Sequence, residues 1–404
     1  MKAVVWHGVG DIRLDDVREP KIQEPTDAIV RITASAICGT DLHFVRGTAS
    51  EGMEKGQILG HEAVGVVEEV GRSVRNLSVG DRVVVPSTIG CGYCSYCRAG
   101  YYAQCDNANP NGKTAGTTTF GALKTNGPLK GLQAEYARVP FAHVNLVKLP
   151  QSVTDDQAIL LSDIFPTGYF GADIAGIEPG DIVCVFGCGP VGQFAIKSAQ
   201  LLGAGRVLAV DANPSRLAMA RAQGAEVINF DEEDPLEAIK ELTGGSGPDR
   251  AIDAVGVDAV HAHHGPAAAK AAKQEKEFQR EVEAVAPDAK PKSGFAPGDA
   301  PSQALRWAVE SLAKAGTLSI IGVYPEAHEF FPIGKAMNKN LTVQMGNCNH
   351  RKYIPHLIEL VESGVADPRQ ILTQIEPMTD VLTAYKVFND RRPGWIKVEL
   401  KPAA

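Results

Sequence analysis

The chain has 404 residues, 44% of them hydrophobic, and a formal net charge of −8. That length exceeds one ordinary core, so two globular domains are expected, and the acidic balance speaks against a nucleic-acid partner, which needs a basic face. No run of about 18 apolar residues occurs, so no membrane partner is expected, and the opening Met1-Lys2-Ala3-Val4-Val5-Trp6-His7 lacks the apolar core of a signal peptide.

Over the first 150 residues, Val4-Val5-Trp6, Ile29-Val30-Arg31-Ile32, Val64-Gly65-Val66-Val67 and Arg82-Val83-Val84-Val85 read as short strands punctuated by Gly and Pro. A compact β-rich domain follows from that pattern. Within it, Cys91, Cys94, Cys97 and Cys105 form C-x2-C-x2-C-x7-C. Four of the chain's eight cysteines thus fall within fifteen residues. Such clustering favours a metal over disulfides, and so a reducing, cytoplasmic setting. Four thiolates close a tetrahedral zinc completely, which makes this a structural zinc lobe at about 90–106. An iron–sulfur cluster is the competing metal, but the common bacterial spacing ends C-x3-C-P, whereas here the last gap is seven residues and Asp106 follows.

The texture changes near residue 165. Asp181-Ile182-Val183-Cys184-Val185-Phe186 reads as a buried strand entering Gly187-Cys188-Gly189-Pro190-Val191-Gly192, then a helix from Val191 to Leu202. In a strand–turn–helix setting, Gly187 permits the tight turn, Gly189 the approach of a pyrophosphate and Gly192 the packing of helix on strand. Arg206 to Asp211 is the next strand, Ser215 to Gln223 a helix, and Ala251 to Val255 and Thr317 to Gly322 are later strands. Alternating strands and helices predict a doubly wound parallel sheet. Asp211 ends the second strand nineteen residues after Gly192, where a carboxylate accepts ribose hydroxyls and repels a 2′-phosphate. NAD is therefore expected over NADP, with Arg216 a nearby cation that weakens the preference. Residues 257–301 break the rhythm with an Ala-, Lys-, Glu- and Pro-rich insertion. It leaves the sheet on the cofactor side, and is expected either to fold over bound NAD or to be a disordered loop. His261, His263 and His264 in it read as loop histidines rather than a third metal site. The chain closes with a strand from Trp395 to Leu400.

Downstream of Cys38, the run Gly60-His61-Glu62-Ala63-Val64-Gly65, with Gly71 and Val74 following, reproduces G-H-E-x2-G-x5-G-x2-V. Here the chain resembles the zinc-containing medium-chain alcohol dehydrogenases, over nearly its whole length. Cys38-Gly39-Thr40-Asp41-Leu42-His43-Phe44-Val45-Arg46-Gly47 and Leu161-Ser162-Asp163-Ile164-Phe165-Pro166-Thr167-Gly168-Tyr169 look most like the formaldehyde dehydrogenase branch. The resemblance implies a second, catalytic zinc held by Cys38, His61 and Asp163, where many relatives have Cys or Glu at the third place. It implies a hydroxyl relay at Thr40, an outer relay at His43, Asp41 orienting His61, and Glu62 beside the metal. It also implies Thr167 near the nicotinamide and Lys397 near the pyrophosphate. Each residue has a plainer reading too: a helix N-cap for Asp163, a ribose contact for His43, packing for Thr40, a turn for Asp41, a hydrogen-bond partner for Glu62, and surface or packing roles for Arg216, Thr167 and Lys397.

The expected architecture is therefore α/β. A Rossmann-type doubly wound parallel sheet spans 166–332, and a GroES-like β-rich catalytic domain is built from 1–165 and 333–404, with the active site in the cleft. The expected activity is zinc-dependent hydride transfer between NAD and a small alcohol or aldehyde, formaldehyde or an adduct included. Threonine or polyol oxidation, an aldehyde dismutase with bound NAD, and a non-catalytic NAD(H)-binding sensor are the alternatives. A homo-oligomer, tetramer or dimer, is expected from the resemblance.

Overall fold

A computed structural model describes residues 1–402 apart from Ala49, Glu51 and Pro128, without the side chain of Pro291. The chain divides into two units, 1–166 with 290–295 and 347–404, and 167–289 with 296–346.

The first unit is β-rich. Its main sheet runs in the order Gln374–Pro377, Val398–Lys401, Ala28–Ile37, Ala63–Val70, Arg82–Val85 and Val147–Lys148, with Tyr136–Val139 pairing on Ala28–Ile37. A three-stranded sheet joins Asp11–Asp16, Lys2–Gly8 and Gln57–Ile58. Register in the main sheet decides where the chemistry falls. Ser35 lies opposite Ala63, Ala63 opposite Val85, and Ile37 opposite Val398, all antiparallel. The segments just outside these pairs therefore emerge at one end of the sheet: Cys38, His61 with Glu62, Thr88 and Lys397. β-branched residues fill the pleat, with Val30, Val64, Val67, Val83, Val84 and Val85 fully buried.

The second unit is a six-stranded parallel sheet ordered Glu226–Asn229, Arg206–Asp211, Ile182–Phe186, Arg250–Asp253, Thr317–Ile320, Thr342–Met345. Numbered along the chain, that order is 3-2-1-4-5-6, the doubly wound arrangement expected. Ile182–Phe186 and Arg250–Asp253 flank the point where the order reverses, and the glycine turn opens there.

Two boundaries differ from the expected ones. Residues 333–346 belong to the second unit, because Thr342–Met345 is the sixth parallel strand, paired with Thr317–Ile320. Its Thr-Val-Gln-Met sequence is largely exposed and carries no run of buried side chains. Lys290–Phe295, inside the insertion, belongs to the first unit. There Phe295 is buried with Trp6, Val45 and Phe388, and Asn389 Nδ2 donates to the Gly294 carbonyl (3.0 Å).

The insertion is neither structureless nor loosely attached. It forms helices Gly265–Ala271 and Glu275–Val285, burying Phe278, Val285 and Ala286. The Glu281 carboxylate accepts from Ser302 N (3.0 Å) and Ser302 Oγ (2.9 Å), and the Arg306 guanidinium stacks 3.7 Å from the Phe330 ring centroid.

Candidate metal centres and dinucleotide site

In the first unit, Cys38 leaves strand Ala28–Ile37 and precedes helix Gly39–Arg46. The Cys38 backbone N–H donates to Asp41 Oδ2 (3.0 Å), so Asp41 closes the helix start while its Oδ1 lies 3.5 Å from His61 Nδ1. His61 Nε2 faces Asp163 Oδ2 at 3.3 Å, and the Cys38 thiol is 3.5 Å from that same oxygen. Cys38, His61, Glu62 and Asp163 each offer a ligand atom, all within 4.8 Å of one another. Zinc bonds of about 2.0–2.3 Å in a tetrahedron put ligand atoms about 3.3–3.8 Å apart. Cys38, His61 and Asp163 fit that geometry on their own side chains.

Gly60 has a structural reason in this motif. Its φ is +90°, and an added Cβ would lie 2.4 Å from Gln133 Cγ. Gln133 sits there because it bridges the site: Nε2 donates to Asp41 Oδ2 (3.1 Å) and to the Ala36 carbonyl (3.0 Å), and Oε1 accepts from Tyr385 Oη (2.8 Å). Gln133 and Tyr385 were not legible as site residues, since neither lies in a motif. Thr40 Oγ is 3.9 Å from the Cys38 thiol, and His43, one helical turn on, is buried rather than at the surface.

Electrostatics follow from burial and charge. Burial pushes the Cys38 thiol up. Burial would lower the His61 imidazole, but the Asp41 and Cys38 charges and the hydrogen bonds to Asp163 and Asp41 together hold it well above its usual range. Burial also opposes the Asp163 charge, yet hydrogen bonds from His350 and His61 hold this carboxyl well below the usual range. Burial pushes Glu62 up against the pull of Lys397.

The structure gives Lys397 different partners from the expected pyrophosphate. Its side chain is wholly buried, and Nζ donates to Glu62 Oε1 (2.7 Å) and to the Ile37 carbonyl (3.0 Å). A buried carboxylate needs a paired cation, and the register of Val398 against Ile37 delivers this one. His350 is a further site residue without a sequence signal: its Nε2 lies 2.6 Å from Asp163 Oδ1.

The four cysteines of the lobe converge around helix Ser95–Arg98, with the Cys94 and Cys105 sulfurs 3.9 Å apart. Backbone N–H groups point at the sulfurs: Cys91 to Cys105 (3.2 Å), Cys94 to Cys91 (3.3 Å) and Cys97 to Cys94 (3.4 Å). Burial pushes the Cys94 thiol up, but the N–H groups of Cys97 and Asp106 outweigh it and bring it down to about 7. Burial and neighbouring thiols push Cys105 up to about 11. Four crowded sulfurs cradled by N–H donors fit a closed zinc site. Among the described residues, only these two groups of potential ligands converge; His261 instead meets Asp299 (3.0 Å) and the His263 ring.

In the second unit, Gly189 precedes helix Pro190–Leu201, whose Pro190 suits the first helical position. A Cβ on Gly192 would sit 1.8 Å from the Gly187 carbonyl oxygen, so helix and turn pack without one. Asp211 Oδ2 accepts from Cys188 N (2.8 Å), and Oδ1 from Ala212 N and Asn213 N (both 2.8 Å). Arg216 lies 3.8 Å from Asp211 Oδ2, beside Gly189. Thr167 lies half-buried on helix Ile164–Ile174, which Asp163 immediately precedes.

Residues 24–151 match the alcohol dehydrogenase GroES-like domain, and residues 190–264 the zinc-binding dehydrogenase family. An uncharacterized zinc-type alcohol dehydrogenase-like protein of Bacillus subtilis is 37% identical, covering 100% of both chains. The chain belongs to the zinc-type medium-chain alcohol dehydrogenase family. Its fold is that of an alcohol dehydrogenase from Thermus sp. ATN1, with a TM-score of 0.80, 33% identity and 100% of both chains covered. A glutathione-independent formaldehyde dehydrogenase of Pseudomonas aeruginosa is 41% identical over 65% of this chain and 68% of its own length. This member of the zinc-type family is thus an oxidoreductase, and no helix among its described residues is long and apolar enough to cross a membrane.

Proposed function

We propose that this zinc-type dehydrogenase transfers hydride between NAD and a small alcohol or aldehyde, formaldehyde or its adducts included. Cys38, His61 and Asp163 would hold one zinc, and Cys91, Cys94, Cys97 and Cys105 a second. The observation that carries the reading is the convergence of His61 (3.3 Å) and Cys38 (3.5 Å) on Asp163 Oδ2, the spacing of ligands on one tetrahedral ion. A zinc held there supplies Lewis acidity toward the substrate oxygen, and NAD accepts the hydride.

The chain's own residues do the rest. Asp41 orients His61 through the other ring nitrogen. Lys397 holds Glu62 beside the site. Thr40 would take the hydroxyl proton of the alcohol and pass it toward His43, and NAD would supply the hydride acceptor. Aldehyde, NADH and one proton result. Gly187, Gly189, Gly192 and Thr167 bind the cofactor, Asp211 selects NAD through its ribose, and Arg216 lies beside the phosphate turn. The formaldehyde reading is supported by the Pseudomonas aeruginosa relative and by the carboxylate at Asp163.

The test measures zinc per chain and NADH absorbance on a panel of alcohols and aldehydes, with and without added NAD. Two zincs per chain and NAD-dependent turnover are expected. Aldehyde turnover without added NAD would indicate a dismutase, and zinc with no turnover a sensor. Cys38→Ala is expected to lose activity and about one zinc while staying folded. Full zinc and full activity in that variant would overturn the reading.

The same reading includes a homo-oligomer, dimer or tetramer. Support comes from Thr342–Met345 at the edge of its sheet, with Met345, Ile333 and Met337 exposed by 62%, 71% and 79%.

A further inference from the structure

We propose that His350 is a positioning residue that clamps Asp163, turning one carboxylate oxygen toward the metal centre and making a carboxylate the fitting third ligand. This rests on the reading of Cys38, His61 and Asp163 as metal ligands. His350 opens helix His350–Glu362 and is only 2% exposed. Its Nε2 lies 2.6 Å from Asp163 Oδ1, and its Nδ1 lies 3.0 Å from Thr88 Oγ. Thr88 Oγ is in turn 3.1 Å from the Cys348 carbonyl oxygen.

The Asp163 carboxylate fixes the hydrogen on one ring nitrogen. A carboxylate opposite Nε2 requires that nitrogen to carry hydrogen. Nδ1 then accepts the Thr88 hydroxyl. If the ring carries both protons, Nδ1 donates to Thr88, which donates to the Cys348 carbonyl. In both cases Nε2–H points at Asp163 Oδ1. The two oxygens of Asp163 are thereby divided: Oδ1 is tied to His350, and Oδ2 faces His61 Nε2 (3.3 Å) and the Cys38 thiol (3.5 Å). A thiol at position 163 would leave a buried imidazole N–H without its strong acceptor, which is costly.

The clamp is itself anchored. Asn349, the residue before His350, accepts from Ala103 N in the cysteine lobe (3.0 Å). Thr88 lies three residues beyond strand Arg82–Val85, at the sheet end where Cys38 and His61 emerge. The ring is thus held from the lobe and from the sheet.

The test follows zinc release from the zinc-loaded full chain to a colorimetric chelator. The parent is expected to release one zinc quickly from the open centre and one slowly from the lobe. His350→Leu is expected to accelerate the fast phase about 10–100-fold with the slow phase unchanged. His350→Gln, whose amide N–H can reach the same oxygen, should restore most of the retention. A fast-phase rate in His350→Leu equal to the parent's would overturn the clamp. If His350→Leu does not fold, Thr88→Val takes its place; acceleration supports the clamp and a parental rate overturns it. Cys38→Ala separates the two readings. If it loses its fast-phase zinc while His350→Leu behaves as the parent, only the clamp fails. If Cys38→Ala keeps both zincs, the metal-centre reading itself fails.

Discussion

Asp211 holds the backbone N–H groups of Cys188, Ala212 and Asn213, and still has lone pairs to offer a ribose. On the proposed reading, one carboxylate serves both the turn and cofactor choice. Asp211→Ser is expected to cut the NAD-over-NADP preference in kcat/KM by about 10–100-fold, and to cost roughly 1–3 kcal/mol of stability through the orphaned N–H groups. Steady-state kinetics with both cofactors and urea unfolding check the two effects. A parental NADP preference, or a variant with unchanged preference, would remove Asp211 as the selector. Lys397 shows how residue-level expectation can miss: its place in the closing segment was legible, its partner Glu62 was not, because the pairing spans 335 residues of sequence.

The cysteine lobe is the element that the proposed structural zinc would stabilise. Its core is four sulfurs with the half-buried Tyr102, Ala108 and Phe141 packed against them, too little apolar surface to order it alone. Cys97→Ala is expected to lose the slowly released zinc and lower the melting temperature, as is prolonged chelation of the parent; calorimetry with metal analysis reads both. An unchanged melting temperature after loss of that zinc would count against a structural role. The insertion behaves differently. In Glu275–Val285, Phe278, Val282 and Val285 fall on one face at helical spacing, a short signal submerged in Glu, Lys and Ala. Phe278 is 2% exposed, so Phe278→Ala is expected to cost about 3–5 kcal/mol. Limited proteolysis should then cut within 262–300 before the rest of the chain. Uniform resistance matching the parent would show that the helix is not held by this residue.

The whole molecule is assembled from segments that cross between units, at 166–167, 289–290, 295–296 and 346–347. The open edge at Thr342–Met345 gives the oligomer prediction its handle. Met337→Glu with Met345→Glu should leave secondary structure intact and shift sedimentation velocity from the oligomer to the monomer. An unchanged oligomer would place the interface elsewhere.

The sequence by itself determined what short-range patterns encode. Four cysteines at tight spacing specify a lobe, and a strand followed by Gly187, Gly189 and Gly192 specifies a tight strand–turn–helix unit. The run Gly60-His61-Glu62 specifies the family. These features were readable because their parts lie within about one turn or one strand of each other. The tertiary structure alone decided which distant residues meet. The sheet register brings Cys38, His61, Thr88 and Lys397 to one end, and the start of helix His350–Glu362 supplies His350 to Asp163 across 187 residues. It also turned a polar insertion into docked helices and added a sixth strand at the sheet edge. Pairing across such distances depends on backbone hydrogen bonds and burial summed over the whole fold, which leave no local trace in the order of residues.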